Sequence, residues 1–217
     1  MPRDVIAILD SRISERSMLK HPFYQAWTAG TLSLERLQHY GVEYYPHVAA
    51  FPRYLSAIHS RCADIATRQA LLENLIEEER GAENHPELWL RFAEAIGVAR
   101  ERVLDATASA SSIALVDEFT RLAESGHVSS GLAALYSYES QIPAVATAKI
   151  EGLKRFYGVT DERGLSFFAV HEKADVWHAR VGADLIARHC ATDRDRELAI
   201  DATDRALAAL WTLLDAC

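Results

Sequence analysis

Apolar positions recur along this chain at steps of three and four, the spacing that lines one face of an α-helix. No alternating, strand-like run interrupts the pattern, so it predicts an all-α fold. Residues 4–16 form a first amphipathic helix with Val5, Ile6 and Leu9 inward. HPFYQAW follows as a short helical turn, opened by Pro22, closed near Gly30 and unusually aromatic. Read alone, it is a hydrophobic lid. Ser33 caps a helix over 34–59 whose inner row is Leu34, Leu37, Gly41, Tyr44 and Val48. Pro46 and Pro52 each remove a backbone donor and should bend or break it.

The next helix begins at 65 after Asp64 and carries the row Leu71, Leu75, Glu78, Ala82, His85. Glu78 is in register with two leucines, whereas Glu77 and Glu79 point elsewhere as part of a solvated charge run. Gly81 and Pro86 loosen the helix between Glu78 and His85. Two straight turns would separate those residues by roughly 10 Å, so their side chains must lean together or serve different ions. PELWLRFAEAIG ends at Gly97, and 98–110 reads as a loop with a weak helical turn. A helix over 112–125 turns Leu115, Val116, Phe119 and Leu122 inward. A longer one over 130–157 has the inner row Leu132, Leu135, Glu139, Ile142, Ala146, Lys149, Leu153, with a kink at Pro143. Lys149 can snorkel outward from that row. Residues 158–166 turn the chain, a helix runs to about 189, and a last helix over 194–215 turns Ile200, Leu207, Leu210, Trp211 and Leu214 inward.

The helix ending near 189 holds FAVHEKADVWHARVGADL, with His171, Asp175 and His178 at i, i+4 and i+7. That spacing puts all three in one sector, between Phe168 on one side and Gly182 and Leu185 on the other. Three rods therefore place Glu78, Glu139, Asp175, His85, His171 and His178 on rows that face a core. One such residue can be a buried polar group in a hydrogen-bond cluster. Six are hard to satisfy mutually. Three carboxylates against two divalent cations come close to electrical balance. Oxygen and imidazole donors without sulfur favour iron or manganese over structural zinc. The ferritin-like bundle uses four Glu and two His; three and three points to a different bundle.

Bulk properties narrow the setting. With 217 residues, the chain suits one domain, 1–217. The net charge of −8 argues against nucleic acid or an anionic membrane as partner. No apolar run reaches the roughly 18 residues of a membrane span. Cys62, Cys190 and Cys217 form no CxxC pair, and with no leader pattern at the N-terminus the expected compartment is the cytoplasm.

At these residues the sequence resembles a known family. EEERGAENHPELWLRFAEAIG, ALYSYESQIPAVATAKIEGLKRFYG and FFAVHEKADVWHARVGADL resemble the CADD-like branch of the heme-oxygenase-like dimetal oxidases, named for a chlamydial protein associating with death domains and related to the pyrroloquinoline-quinone synthase C and TenA superfamily. The resemblance implies a seven-helix heme-oxygenase-like bundle without heme. It places the metal ligands on Glu78, His85, Glu139, His171, Asp175 and His178, and implies two ions, Fe/Fe or Fe/Mn. The activity it implies is O2-dependent formation of p-aminobenzoate for folate synthesis, with an external reductant. The precursor is then the protein's own Tyr24, Lys149 gives the amino group, and Tyr138 and Tyr40 carry oxidising equivalents. Phe167 and Phe168 stand where some relatives carry a tyrosine. Relatives imply a homodimer.

Two other readings stand beside this one. The same scaffold can act as a multi-turnover dimetal oxygenase on a small external substrate. It can also be a non-enzymatic interaction module, a reading that leaves six core-facing ligands unexplained.

Overall fold

The structure, a computed structural model, describes residues 2–217, and side chains from Val5 onward. Every regular element among the described residues is helical. Twelve α-helices follow one another: α1 Pro2–Glu15, α2 Pro22–Ala29, α3 Leu34–Glu43, α4 Tyr45–Arg61, α5 Ile65–Glu79, α6 His85–Ala95, α7 Arg100–Leu104, α8 Ala110–Ala123, α9 Val128–Glu139, α10 Ile142–Phe156, α11 Glu162–His189 and α12 Asp193–Ala216. Twelve segments rather than seven arise because breaks divide the longer rods. Pro46 ends α3 at Tyr44, and Pro143 separates α9 from α10 across Ser140 and Gln141. Pro52 stays inside α4.

Caps explain most boundaries. Ser33, Asp64, Asn84, Ser109 and Asp161 each accept a backbone N–H of the first helical turn. Ser109 starts α8 two residues earlier than the hydrophobic row suggested, and Asp161 starts α11 inside the stretch expected to be a turn. His21 caps α2 through Nδ1, which accepts from the Phe23 N–H at 3.1 Å, and its Nε2 reaches Asp215 Oδ1 at 3.0 Å.

The core runs the length of the bundle. α11 packs against α10, α6 and α9; α12 covers α9 and α8; α4 lies on α5 and α8. The predicted inner rows are largely buried, Leu37, Leu71, Phe119, Leu132, Leu153 and Leu210 among them. Ile6, Leu75, Val116, Ile200 and Trp211 are half-buried, and two members are exposed. Leu34 is exposed, because it sits in the first turn of α3, where the helix has just left the surface. Ala82 is exposed, because α5 has ended three residues earlier.

α2 meets α10 at Gly152, where an added Cβ would stand 2.5 Å from the Trp27 indole. Gly152→Ala should therefore push α2 off α10. We expect a loss of about 1–3 kcal/mol, as for other overpacked sites, seen as a lower thermal midpoint.

Candidate metal centre

The break between α5 and α6 builds half of the centre. α5 stops at Glu79, Arg80 is extended, and Gly81 turns the chain at φ +79°, a value that suits only glycine well. A single 3₁₀ turn then delivers His85 as the first residue of α6, with Pro86 following it. A continuous helix would have held Glu78 and His85 two turns apart. Here Glu78 Oε2 and His85 Nδ1 lie 2.8 Å apart and belong to the same group, not to different ions. His171, reaching across from α11, packs its ring at a tilt against that of His85, centroids 4.3 Å apart. His171 Nδ1 lies 2.6 Å from the Phe167 carbonyl of its own helix, which it contacts as donor; that fixes the tautomer and leaves Nε2 free.

The second half comes from α9 and α11. His178 Nδ1 faces Asp175 Oδ1 at 3.1 Å and Glu139 Oε1 at 3.7 Å. Glu78, His85 and His171 each offer a donor atom within 4.8 Å of the others, and so do Glu139, Asp175 and His178; all six residues are buried.

Two residues outside the predicted set touch this group. Asn74 Nδ2 donates to Glu139 Oε1 at 2.7 Å. Glu77 Oε2 approaches His178 Nε2 at 3.2 Å, so this residue, expected to be solvated, touches the centre while remaining half exposed. Asn74 precedes Glu78 by four and follows Leu71 by three, so the same stripe pointed to it. Asn74→Ala should weaken metal affinity 10- to 100-fold, the usual effect of removing a partner that orients a ligand, in a chelator-competition titration.

The electrostatics of these groups bear on what they can hold. Burial, and then Asp175, push Glu139 upward, and burial does the same to Asp175. Burial resists protonation of His178, but Asp175, Glu139 and Glu77 together outweigh it and lift the pKa to about 9. Burial, and then His85, push His171 well down. The arrangement is short of positive charge. Asp175 Oδ2 and His85 Nδ1 are buried without a hydrogen-bond partner, and the short approach of His85 to Glu78 is not aligned as a hydrogen bond. Orphaned donors of this kind, all nitrogen or oxygen, fit two divalent cations.

A second cluster lies between α2, α3, α4 and α10. Tyr24, Tyr40 and Lys149 are all at most 4% exposed, so Lys149 does not snorkel. Lys149 Nζ donates to Tyr40 Oη at 2.7 Å, and Tyr40 Oη lies 3.3 Å from Tyr24 Oη. Six rings surround Nζ, with Phe168 at 5.0 Å, Tyr24 at 5.4 Å and Tyr44 at 5.4 Å from their centroids. Burial drives the Lys149 pKa down to about 7 and pushes Tyr24 and Tyr40 up. Tyr138 joins the two clusters. It lines a small cavity with Glu78, Glu139, His171 and Asp175, and its pKa is raised by burial and by Tyr44. Tyr44 in turn packs at a tilt against Tyr40, ring centroids 5.1 Å apart. Sequence reasoning put Tyr44 on the inner row but gave it no chemistry.

A helical bundle with two neighbouring, sulfur-free donor triads in its core defines the class of proteins built to bury a pair of metal ions. Residues 38–211 match the family described as an iron-containing redox enzyme, and the chain belongs to that family. It is 44% identical over 207 residues to a 4-aminobenzoate synthase of Chlamydia muridarum, covering 95% of this chain and 87% of that one. It is 41% identical to a 4-aminobenzoate synthase of Nitrosomonas europaea, with 95% and 88% covered. A pyrroloquinoline-quinone synthase of Ruegeria pomeroyi is 27% identical, with 98% and 89% covered. Among solved structures, a TenA homologue from Pseudomonas syringae superposes with a TM-score of 0.82 at 16% identity, covering 98% and 90%. A CADD-like protein from Nostoc punctiforme superposes at 0.78 and 15% identity, covering 98% and 96%. Those two likenesses concern the fold alone. Among the described residues, no helix is long and apolar enough to cross a membrane.

Proposed function

We propose that this enzyme forms 4-aminobenzoate in an O2-dependent reaction that consumes its own Tyr24, with Lys149 as the amino donor. The reading draws on the relatives bearing that name and is carried by one observation: a fully buried amine, hydrogen-bonded to Tyr40, standing over the Tyr24 ring. Glu78, His85 and His171 would hold one ion, and Glu139, Asp175 and His178 the other, as Fe/Fe or Fe/Mn. The chemistry such a pair supplies when bound, with electrons from an external donor, is reductive activation of O2.

The remaining work falls to side chains. Tyr138, next in sequence to Glu139, faces the ligand cluster, and Tyr44 and Tyr40 lead from it to Tyr24. Their raised pKa values keep these phenols neutral, so each gives up an electron only with its proton. Lys149, with a pKa near 7, is largely a neutral amine at slightly alkaline pH and so a nucleophile toward the oxidised ring. The sealed aromatic cage excludes water, which would otherwise compete with the amine for that ring.

The test is isotopic. Protein carrying ring-labelled tyrosine and side-chain nitrogen-labelled lysine is loaded anaerobically with Fe(II), with or without Mn(II), and given reductant and O2. We expect 4-aminobenzoate containing both labels, no more than one per chain, with mass lost at Tyr24. Unlabelled product and an intact chain after many turnovers would overturn the reading in favour of an external substrate.

A further inference from the structure

The six ligand residues are buried, and the face toward Tyr24 and Lys149 is sealed by α2. Any small molecule that reaches the ions must come another way. A cavity of about 130 Å³ lies between α5, α9 and α11. Its walls are mostly apolar, with Leu132, Leu135 and Val181 among them; Asn74 and Glu77 also line it, beside Glu139 and His178, two members of the second triad. Trp177, 62% exposed, and the exposed Glu73 stand at its outer end, so it reaches the surface.

Glu139 also lines an inner cavity of about 10 Å³, bounded by His47, Tyr138, His171 and Asp175. That is about the room one water-sized molecule needs. His47 is buried there, and its Nε2 has no partner. A wide apolar chamber open to the surface thus adjoins a chamber of molecular size, with one ligand carboxylate between them.

The geometry points to the outer cavity as the port through which O2 reaches the ions. The inference rests on the proposed O2-dependent function. Its occupant follows from size and polarity. The cavity is well below the roughly 300–1,000 Å³ of sites for drug-sized ligands. Dry apolar cavities of about this size take up small apolar guests such as xenon and benzene. O2 is the apolar reactant that the chemistry requires. Entry here delivers it to the triad side of the centre, away from the Lys149 cage.

Two substitutions fill the port without replacing a predicted ligand. Ala70 lines it on α5 and is only partly buried, so Ala70→Phe projects into the space. Gly182 lines it on α11, and a Cβ there meets only Tyr136, at an ordinary 3.4 Å, so the side chain of Gly182→Leu begins without a clash and extends into the space. Crystals of the wild-type protein under xenon pressure should show xenon between Leu132, Leu135 and Val181. Both variants should lose that xenon, keep two metal ions per chain, and react with O2 at least about tenfold more slowly in stopped flow. No xenon in the wild-type cavity, or metal-loaded variants that react at the wild-type rate, would overturn the port. Should either variant fail to fold, O2-induced relaxation of the Leu132, Leu135 and Val181 methyls in wild-type protein decides instead. Enhancement above that of surface methyls supports the port, and enhancement no greater overturns it. None of these measurements reads 4-aminobenzoate. A protein that takes up O2 through the port but releases no aromatic amine leaves the port standing and removes the function.

Discussion

His171→Ala is expected to bring product formation below detection and to leave one ion per chain in place of two. His171 is the α11 contribution to the first triad, and Glu78 and His85 alone give too few donors to hold an ion tightly. Loss of the ring also opens a space beside His85 and Phe167, at a cost on the order of 2–4 kcal/mol. Lost activity could therefore reflect weakened folding, and Asp175→Asn separates the two causes. It keeps the volume and removes a carboxylate that burial makes hard to ionise.

Asp175 has a folded pKa raised above its ordinary value of 3.8, so the folded state holds more protons than the unfolded one above that pH. Stability of the metal-free protein then falls as pH rises through that interval. Asp175→Asn should remove this penalty and raise the thermal midpoint of metal-free protein at neutral pH, while abolishing product and lowering the metal count. Mass-spectrometric metal analysis and a thermal melt on one sample decide it. A variant that keeps two ions and full activity would show that these residues are not ligands. If the outer surface also binds a protein partner, both variants should leave that binding intact.

Helical periodicity tells which residues share a face but not what that face meets. Glu78, Glu139, His171, Asp175 and His178 could each be placed on an inner row because each replaces an apolar residue in a three–four stripe. The grouping could not be read in this way. Glu78 and His85 share a triad only because the helix breaks at Arg80 and Gly81, and a one-dimensional stripe carried it straight through Ala82 instead. Glu77 lies outside the stripe, which points it to solvent, yet its flexible side chain reaches His178 Nε2. Asn74 carries the same positional signal as the others, whereas His47 lies beside the row through Tyr44 and Val48. An amide or a lone histidine announces no chemistry until its partner is seen. The hydroxyl and amine contacts among Tyr24, Tyr40 and Lys149 join α2, α3 and α10, and no spacing within one helix encodes them. The family resemblance supplies the chemical roles of those three residues, although Lys149 already stands on an inner row.

Lys149→Met should abolish the aromatic amine while sparing the metal content and the reaction with O2. Methionine is similar in length and suits an apolar, aromatic surround, so the cage around residue 149 stays filled. Burial places the Lys149 pKa at about 7, below its ordinary 10.5; the surrounding ring faces favour the charged form and oppose burial without reversing it. Between those two values the unfolded chain holds the extra proton. Stability from this residue therefore rises with pH across that window, at up to about 1.4 kcal/mol per unit. The stabilising effect of Lys149→Met should accordingly be greatest below pH 7 and shrink toward pH 10.5. Taking the difference between variant and wild type removes the opposite slopes of Asp175 and His178, which both proteins share. Activity titrates with the same group: below pH 7 the neutral amine, and with it the single-turnover rate of amine formation, should fall about tenfold per unit. A Lys149→Met protein that still releases 4-aminobenzoate would assign the nitrogen to another donor. A wild-type rate flat from pH 5 to 9 would show that deprotonation of Lys149 does not limit the reaction.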